Sequence, residues 1–227
     1  MITTVVFDLD DTLYDEVDYC RSGFKAAAES LSNMVDVLSP EEIFDSLWQH
    51  FSAGNHTKTF NAALDDLGVS YNEEMIQKTI KIYRSHKPQI ELPADSAKIL
   101  KQLSPKYTLA LLTDGFLPAQ QLKVKALGIE KYFKCIIYTE QLGRQFWKPS
   151  PVGFEKIMQT LKVKPQEMVY VADNEEKDFI APNQLGCLTV RLARPAGIHK
   201  SASDAPQAAA RYVIGGLAEL PALLERL

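Results

Sequence analysis

Val5-Val6-Phe7-Asp8-Leu9-Asp10-Asp11-Thr12-Leu13 is the stretch on which the reading of this chain turns. Thr4 to Phe7 is a β-branched and aromatic run of the kind that fills a buried, parallel strand. Asp8, Asp10 and Asp11 follow at once, where the chain must leave the sheet for solvent. Open α/β sheets build their sites in this way, with polar side chains delivered at the carboxyl ends of buried strands. Ordinary turn chemistry also favours Asp, so the remaining strand ends have to decide between a turn and a site.

Working outward, the next eighty or so residues carry helical periodicity. Tyr19, Phe24, Ala27, Ala28, Leu31 and Met34 recur at three- and four-residue spacings and form an apolar stripe. Ser39-Pro40-Glu41-Glu42 predicts a helix start, with Ser at the N-cap, Pro at N1 and Glu at N3. Ile43, Leu47 and Phe51 continue that helix to a break at Gly54-Asn55. Phe60 to Leu67 predicts a third helix closed by Gly68, and Asn72 caps a fourth that carries Met75, Ile76, Ile80 and Tyr83. Residues 15–92 therefore read as a helical insert, and residues 1–14 with 93–227 as the core.

From Asp95 onward helices and strands alternate. Strands are expected at Tyr107–Leu112, Cys135–Tyr138, Met168–Ala172, Leu188–Leu192 and Tyr212–Ile214. Helices are expected at Pro118–Leu127, Pro151–Leu161, Asp178–Leu185 and Leu217–Leu227, and a surface loop at Ser201–Ala210. Such alternation implies an α/β fold, a doubly wound parallel sheet with helices on both faces. In it, four strand ends carry chemistry: Asp8 with Asp10, Thr113-Asp114-Gly115, Lys148-Pro149, and Asp173-Asn174 with Asp178. Asp8 is suited to act as an anionic oxygen nucleophile and Asp10 to protonate a leaving oxygen and then activate water. Asp8, Asp10, Asp173 and Asp178 would repel one another, at roughly 4 kcal/mol for two charges about 4 Å apart at an effective dielectric near 20. A divalent cation relieves that, and an all-oxygen shell selects Mg²⁺. Thr113 and Lys148 supply a donor and a positive charge for phosphoryl oxygens.

These motifs resemble, in order, the four motifs of the haloacid dehalogenase-like hydrolase superfamily: Asp8-Leu9-Asp10-Asp11-Thr12, Leu112-Thr113-Asp114-Gly115, Lys148-Pro149 and Val171-Ala172-Asp173-Asn174-x-x-x-Asp178. The match spans nearly the whole core, and a helical insert between the first two motifs is how the first cap class of that superfamily is arranged. The resemblance implies a Rossmann-like core with a helical cap. It also implies an aspartyl-phosphate intermediate on Asp8, acid/base work by Asp10, and Mg²⁺ held by Asp8, the Asp10 carbonyl and Asp173. Phosphate binding falls to Thr113, Asp114 and Lys148, with Asp178 and Asn174 supporting. The members named for dehalogenation lack the second aspartate, so Asp10 argues for phosphoryl transfer. A phosphatase acting on a small phosphorylated metabolite is the expected activity. A sugar-phosphate mutase is the alternative within the superfamily, and a non-catalytic phosphometabolite binder is the alternative outside catalysis. Gly143 to Trp147 makes a longer approach to the motif lysine than usual, and Arg144 and Trp147 on it are candidates for substrate selection.

Composition agrees with this class. Of 227 residues 46% are hydrophobic, enough for a buried core, and the net charge of -4 argues against a general nucleic-acid binder. Cys20, Cys135 and Cys187 form no C-x-x-C pair, which argues against a zinc or redox motif and for a reducing compartment. No basic segment precedes an apolar run and no apolar run approaches a membrane span, so a cytoplasmic protein without membrane partners is expected, as monomer or homodimer.

Overall fold

The structure is a computed structural model and describes residues 1–35, 37–193 and 205–227. In chain order the elements are β1 (Thr4–Phe7), α1 (Glu16–Val35), α2 (Pro40–Ser52), α3 (Thr59–Asp66), α4 (Glu73–Ser85), α5 (Ala94–Leu103), β2 (Thr108–Thr113) and α6 (Ala119–Leu127). There follow β3 (Cys135–Tyr138), α7 (Val152–Leu161), β4 (Met168–Ala172), α8 (Ile180–Leu185), β5 (Leu188–Leu192), β6 (Tyr212–Ile214) and α9 (Leu220–Leu224). The chain divides into two compact units. One comprises Met1–Glu16, Glu91–Phe116 and Val124–Leu227, the other Val17–Ile90 with Leu117–Lys123.

In the first unit the strands form one parallel sheet, ordered β3-β2-β1-β4-β5-β6 among the described residues. The expected α/β fold is present. Chain order reverses around β1: the next two strands are laid down on one side of it, and β4 to β6 on the other. Such a switch opens a crevice at the carboxyl ends of the strands. Val5, Val6 and Phe7 are fully buried, as are Val169, Tyr170 and Val171 of β4, because a parallel strand with helices on both faces meets no water. Val6, Ala110, Leu112, Phe154, Tyr170 and Phe179 share one packed cluster. Gly153 permits its close approach, since a Cβ there would lie 2.7 Å from Leu112 Cδ1.

The second unit packs α1 to α4 around aromatic rings. Phe24 lies 5.4 Å from Phe51, 5.9 Å from Phe60 and 5.2 Å from Tyr83, ring centre to ring centre. The start of α2 forms as expected: Ser39 Oγ accepts from the Glu42 N–H, and the Glu42 carboxylate accepts from the Ser39 N–H at 2.9 Å.

Two expected helices are shorter in the structure. Asp178 belongs to a turn, with α8 starting at Ile180, because its carboxylate accepts the Asn174 N–H at 3.1 Å and its own N–H reaches the Asn174 carbonyl. The terminal helix is a 3₁₀ turn over Leu217–Glu219 running into α9, with Pro221 in its first turn. Of the expected loop Ser201–Ala210, residues 201–204 lie outside the described residues, and Pro206–Ala208 is a 3₁₀ turn. No helix among the described residues is long and apolar enough to cross a membrane.

Candidate active site

Three adjacent strands aim their carboxyl ends at one place. β1 ends at Phe7, and the Asp8 N–H still reaches the Val171 carbonyl of β4 at 2.9 Å, so the ladder holds Asp8 in position up to the point where the chain turns away. The turn that follows is tight. Leu13 N–H bonds back to the Leu9 carbonyl at 2.9 Å, and Asp11 takes φ 51°, a left-handed conformation that Asp tolerates better than most residues. The Asp11 carboxylate accepts the Glu16 N–H at 2.9 Å and so fastens the turn to the start of α1. Asp10 is thereby presented next to Asp8, and Tyr14 donates its phenolic proton to Asp10 Oδ1 at 2.5 Å.

Below these carboxylates sits a buried ionic centre. The Lys148 ammonium is 2.6 Å from Asp8 Oδ1, 2.7 Å from Asp178 Oδ1 and 3.0 Å from the Tyr170 hydroxyl. Tyr170 donates onward to Asp178 Oδ1 at 3.4 Å. Burial pulls the Lys148 ammonium down, but the charges of Asp178 and Asp8 outweigh it and hold its pKa well above the usual value. Burial pushes the Asp8 carboxyl up to about 7 against the pull of Lys148, and pushes Asp173 up to about 8, aided by the charge of Asp8. A cation held among these carboxylates would favour their charged forms and oppose both shifts.

Asp173 closes the group from the end of β4. Its Oδ1 accepts the Thr12 hydroxyl at 3.4 Å, while Oδ2 is buried without a hydrogen-bond partner. Asp8, Asp173 and Asp178 each bring one carboxylate oxygen within 4.8 Å of the others. Asn174 is buried, and its Oδ1 accepts the Glu176 N–H at 2.9 Å, which tightens the turn toward Asp178.

Thr113, at the end of β2, is buried and donates to the Asp114 carbonyl at 3.3 Å. The Asp114 carboxylate accepts the Thr139 hydroxyl at 2.7 Å and the Lys148 backbone N–H at 3.1 Å. It therefore ties the second strand end to the segment that carries Lys148. Arg144 and Trp147 lie on that segment but face different neighbours. The Arg144 guanidinium pairs with Glu140 at 3.1 Å and lies 4.5 Å above the Phe116 ring, and Phe116 meets Trp147 edge to face at 5.4 Å. A cavity of 220 Å³ opens over the site. Asp8, Asp10, Asp114, Asp173, Asn174 and Trp147 are among its walls, and Arg144 is not.

Sequence reasoning missed Tyr14, Tyr170 and Thr139, each of which holds a site carboxylate or the lysine. Tyr14 had a signal, standing four residues after Asp10 in a tight turn. Tyr170 had only a buried strand around it.

The chain matches the haloacid dehalogenase-like hydrolase family over residues 5–192, the span that holds every motif residue above. It belongs to that family. Among the relatives of this haloacid dehalogenase-like hydrolase is a glyceraldehyde 3-phosphate phosphatase of Methanopyrus kandleri, 30% identical over 200 residues that span 86% of this chain and 85% of that protein. Another is an N-acylneuraminate-9-phosphatase of Rattus norvegicus, 26% identical over 241 residues that span 100% and 95% of the two chains. A crystal structure of a 2-haloacid dehalogenase from Pseudomonas syringae pv. Tomato DC3000 superposes with a TM-score of 0.69 at 24% identity, covering 100% of this chain and 99% of that one. That likeness establishes the fold alone.

Proposed function

We propose that this protein is a Mg²⁺-dependent cytoplasmic phosphatase that hydrolyses a small phosphorylated metabolite through an aspartyl-phosphate on Asp8. The family and the phosphatase relatives make it a phosphoric monoester hydrolase. The observation that carries the mechanism is the pair Asp8 and Asp10 at one cavity, the first held on Lys148 and the second on Tyr14.

Each residue then has a task. An Asp8 carboxylate oxygen attacks phosphorus as the bond to the ester oxygen breaks, and protonated Asp10 gives its proton to that leaving oxygen. Water next attacks phosphorus, Asp10 takes its proton, and the bond from Asp8 to phosphorus breaks to release phosphate. Lys148 keeps one Asp8 oxygen fixed and its charge compensated. Tyr14 orients Asp10 for both proton transfers.

The residues present fit a divalent cation. Three carboxylates converge, one buried Asp173 oxygen is unpaired, and the donor set is all oxygen. Asp8, Asp173 and the Asp10 carbonyl would hold it, because Asp178 is already engaged by Lys148, Tyr170 and the Asn174 N–H. Bound Mg²⁺ supplies charge neutralisation for the carboxylates and for the phosphoryl oxygens. Three buried free thiols suit a reducing compartment.

The test is phosphate release from a panel of phosphomonoesters. Activity should vanish in EDTA and return with Mg²⁺, and Asp8→Asn should fold but not hydrolyse. Hydrolysis persisting in metal-free buffer, or in Asp8→Asn protected from deamidation, would sink this mechanism.

A further inference from the structure

The cavity over the site has one apolar corner. Among the described residues that line it, Phe116 and Trp147 alone have apolar side chains, and the rest are carboxylates, Asn174, Lys177 and Gly115. In the phosphatase reading Asp8, Asp10 and Asp173 serve the cation, the phosphoryl group and the proton transfers. Phe116 and Trp147 have no part in that chemistry, yet they wall the same space.

Two loops build the corner. Phe116 follows Thr113-Asp114-Gly115 at the end of β2. Trp147 closes a 3₁₀ turn over Arg144–Phe146, its N–H bonding the Arg144 carbonyl at 3.1 Å. Three residues per turn set Arg144 and Trp147 above one another, and Phe116 packs against both. The Arg144 guanidinium lies 4.5 Å from the centre of the Phe116 ring, and Trp147 meets that ring at 5.4 Å and 73°, edge to face. Glu140 pairs with the same guanidinium at 3.1 Å. Arg144 is not among the cavity walls, so its contacts are with Phe116 and Glu140 at the back of the corner. The residue after Trp147 ties the two loops together, because the Lys148 N–H bonds the Asp114 carboxylate at 3.1 Å. The rings are therefore held at a fixed distance from the strand ends that meet the phosphoryl group.

We propose that Phe116 and Trp147 form the wall against which the carbon skeleton of the leaving group packs, and that Arg144 is a positioning residue that holds Phe116. The assignment rests on the phosphatase reading. It selects phosphomonoesters in which a ring lies next to the ester oxygen, since two rigid aromatic side chains offer apolar area at a set angle to a third ring. Arg144 acts through Phe116 and makes no contact with a second anionic group on the substrate.

The experiment compares the full-length parent with Phe116→Leu, Trp147→Leu, Arg144→Met and the Phe116→Leu, Arg144→Met double variant in Mg²⁺ buffer. Leucine keeps apolar bulk and loses the flat ring, and thermal unfolding checks each fold. Phenylphosphonate, methylphosphonate and inorganic phosphate are titrated calorimetrically, the first two because a phosphatase does not cleave their C–P bonds. The parent should bind phenylphosphonate roughly three- to tenfold tighter than methylphosphonate, the worth of an aromatic contact. Each leucine variant should lose most of that preference, with the affinity for inorganic phosphate changed far less. Arg144→Met should lose part of it, and should lose nothing further when Phe116→Leu is already present, because it acts through that ring. In the same variants kcat/KM should fall more for phenyl phosphate than for methyl phosphate, each taken against the parent so that the reactivity of the ester cancels. A parent that binds the two phosphonates equally, or neither, overturns the proposal, as does a leucine variant that weakens all three ligands by one factor. Selective loss of phosphonoacetate in Arg144→Met overturns the positioning role, by giving the guanidinium to a second anion. A parent that hydrolyses no phosphomonoester defeats the phosphatase reading separately, and the phosphonate titrations still decide the role of the rings.

Discussion

Lys148→Met removes a buried cation from between two carboxylates while keeping most of the side-chain length. The parent lysine is 1% exposed and makes ion pairs of 2.6 Å and 2.7 Å with Asp8 and Asp178, whose side chains are 8% and 0% exposed. Deleting one partner of a buried pair costs about 3–5 kcal/mol, because the charge left behind has neither water nor a counter-ion. Methionine refills the stem volume, so a cavity adds little. For a chain of this size each kcal/mol moves the melting temperature by about 2–4 °C, which gives a fall of roughly 6–20 °C.

The assay is thermal and urea unfolding in EDTA of the parent, Lys148→Met, Asp178→Asn and the double variant. If repulsion between stranded carboxylates causes the loss, the double variant should be more stable than Lys148→Met alone, a coupling that distinguishes charge from packing. The pH dependence has a definite sign. The Asp8 carboxyl titrates at about 7 in the fold against 3.8 unfolded, so its contribution is present below 3.8 and lost as pH rises through about 7. Without Lys148 that loss deepens, so the deficit of the variant should be largest above about 7 and shrink toward 3.8. A deficit under about 1 kcal/mol at neutral pH, the value for exposed pairs, would refute the buried ionic centre. So would a deficit that grows on acidification.

Three further outcomes are expected. Tyr14→Phe, which removes the 2.5 Å bond to Asp10, should lower kcat roughly tenfold for alkyl phosphates and less for aryl phosphates, whose leaving oxygen needs less help from an acid; equal losses on both would remove Tyr14 from proton transfer. Gly153→Ala sets a Cβ 2.7 Å from Leu112 Cδ1 and should cost about 1–3 kcal/mol by overpacking, so an unchanged denaturation midpoint would contradict the packing described. Burial, with the Lys123 charge, lowers the pKa of His86, whose Nε2 accepts the Ser22 hydroxyl at 2.9 Å when Nδ1–H donates to the Tyr83 carbonyl at 2.7 Å. A depressed histidine contributes stability above its unfolded 6.5 and loses it as pH falls below, so the parent should lose more stability than His86→Gln on acidification, and parallel pH curves would deny His86 that part.

The strands that build the site were legible because each is a short apolar run with an abrupt polar end. Thr4–Phe7, Cys135–Tyr138 and Met168–Ala172 form over the expected residues. Helix starts drifted by a residue where a proline opens the element: Pro118 and Pro151 precede α6 and α7 and do not belong to them. Asp178 is expected as the first residue of a helix, and only the bond from the Asn174 N–H to its carboxylate shows that it belongs to the preceding turn.

Within the site, what stayed hidden is whether a charge is already used inside the protein. Arg144 looked like a fork open to a substrate anion, and Glu140 stood four residues before it at the spacing that pairs helical side chains. The structure makes that pair at 3.1 Å. Lys148 is the harder case, since the sequence shows a motif lysine but none of its neighbours in space. Its pairing appears only when Tyr170 of β4 and the carboxylates of Asp8 and Asp178 are placed around it. Tyr170 itself reads as core, and its hydroxyl accepts from the Lys148 ammonium at 3.0 Å. A hydroxyl in the middle of a buried strand thus joins the ionic centre without any local pattern to mark it.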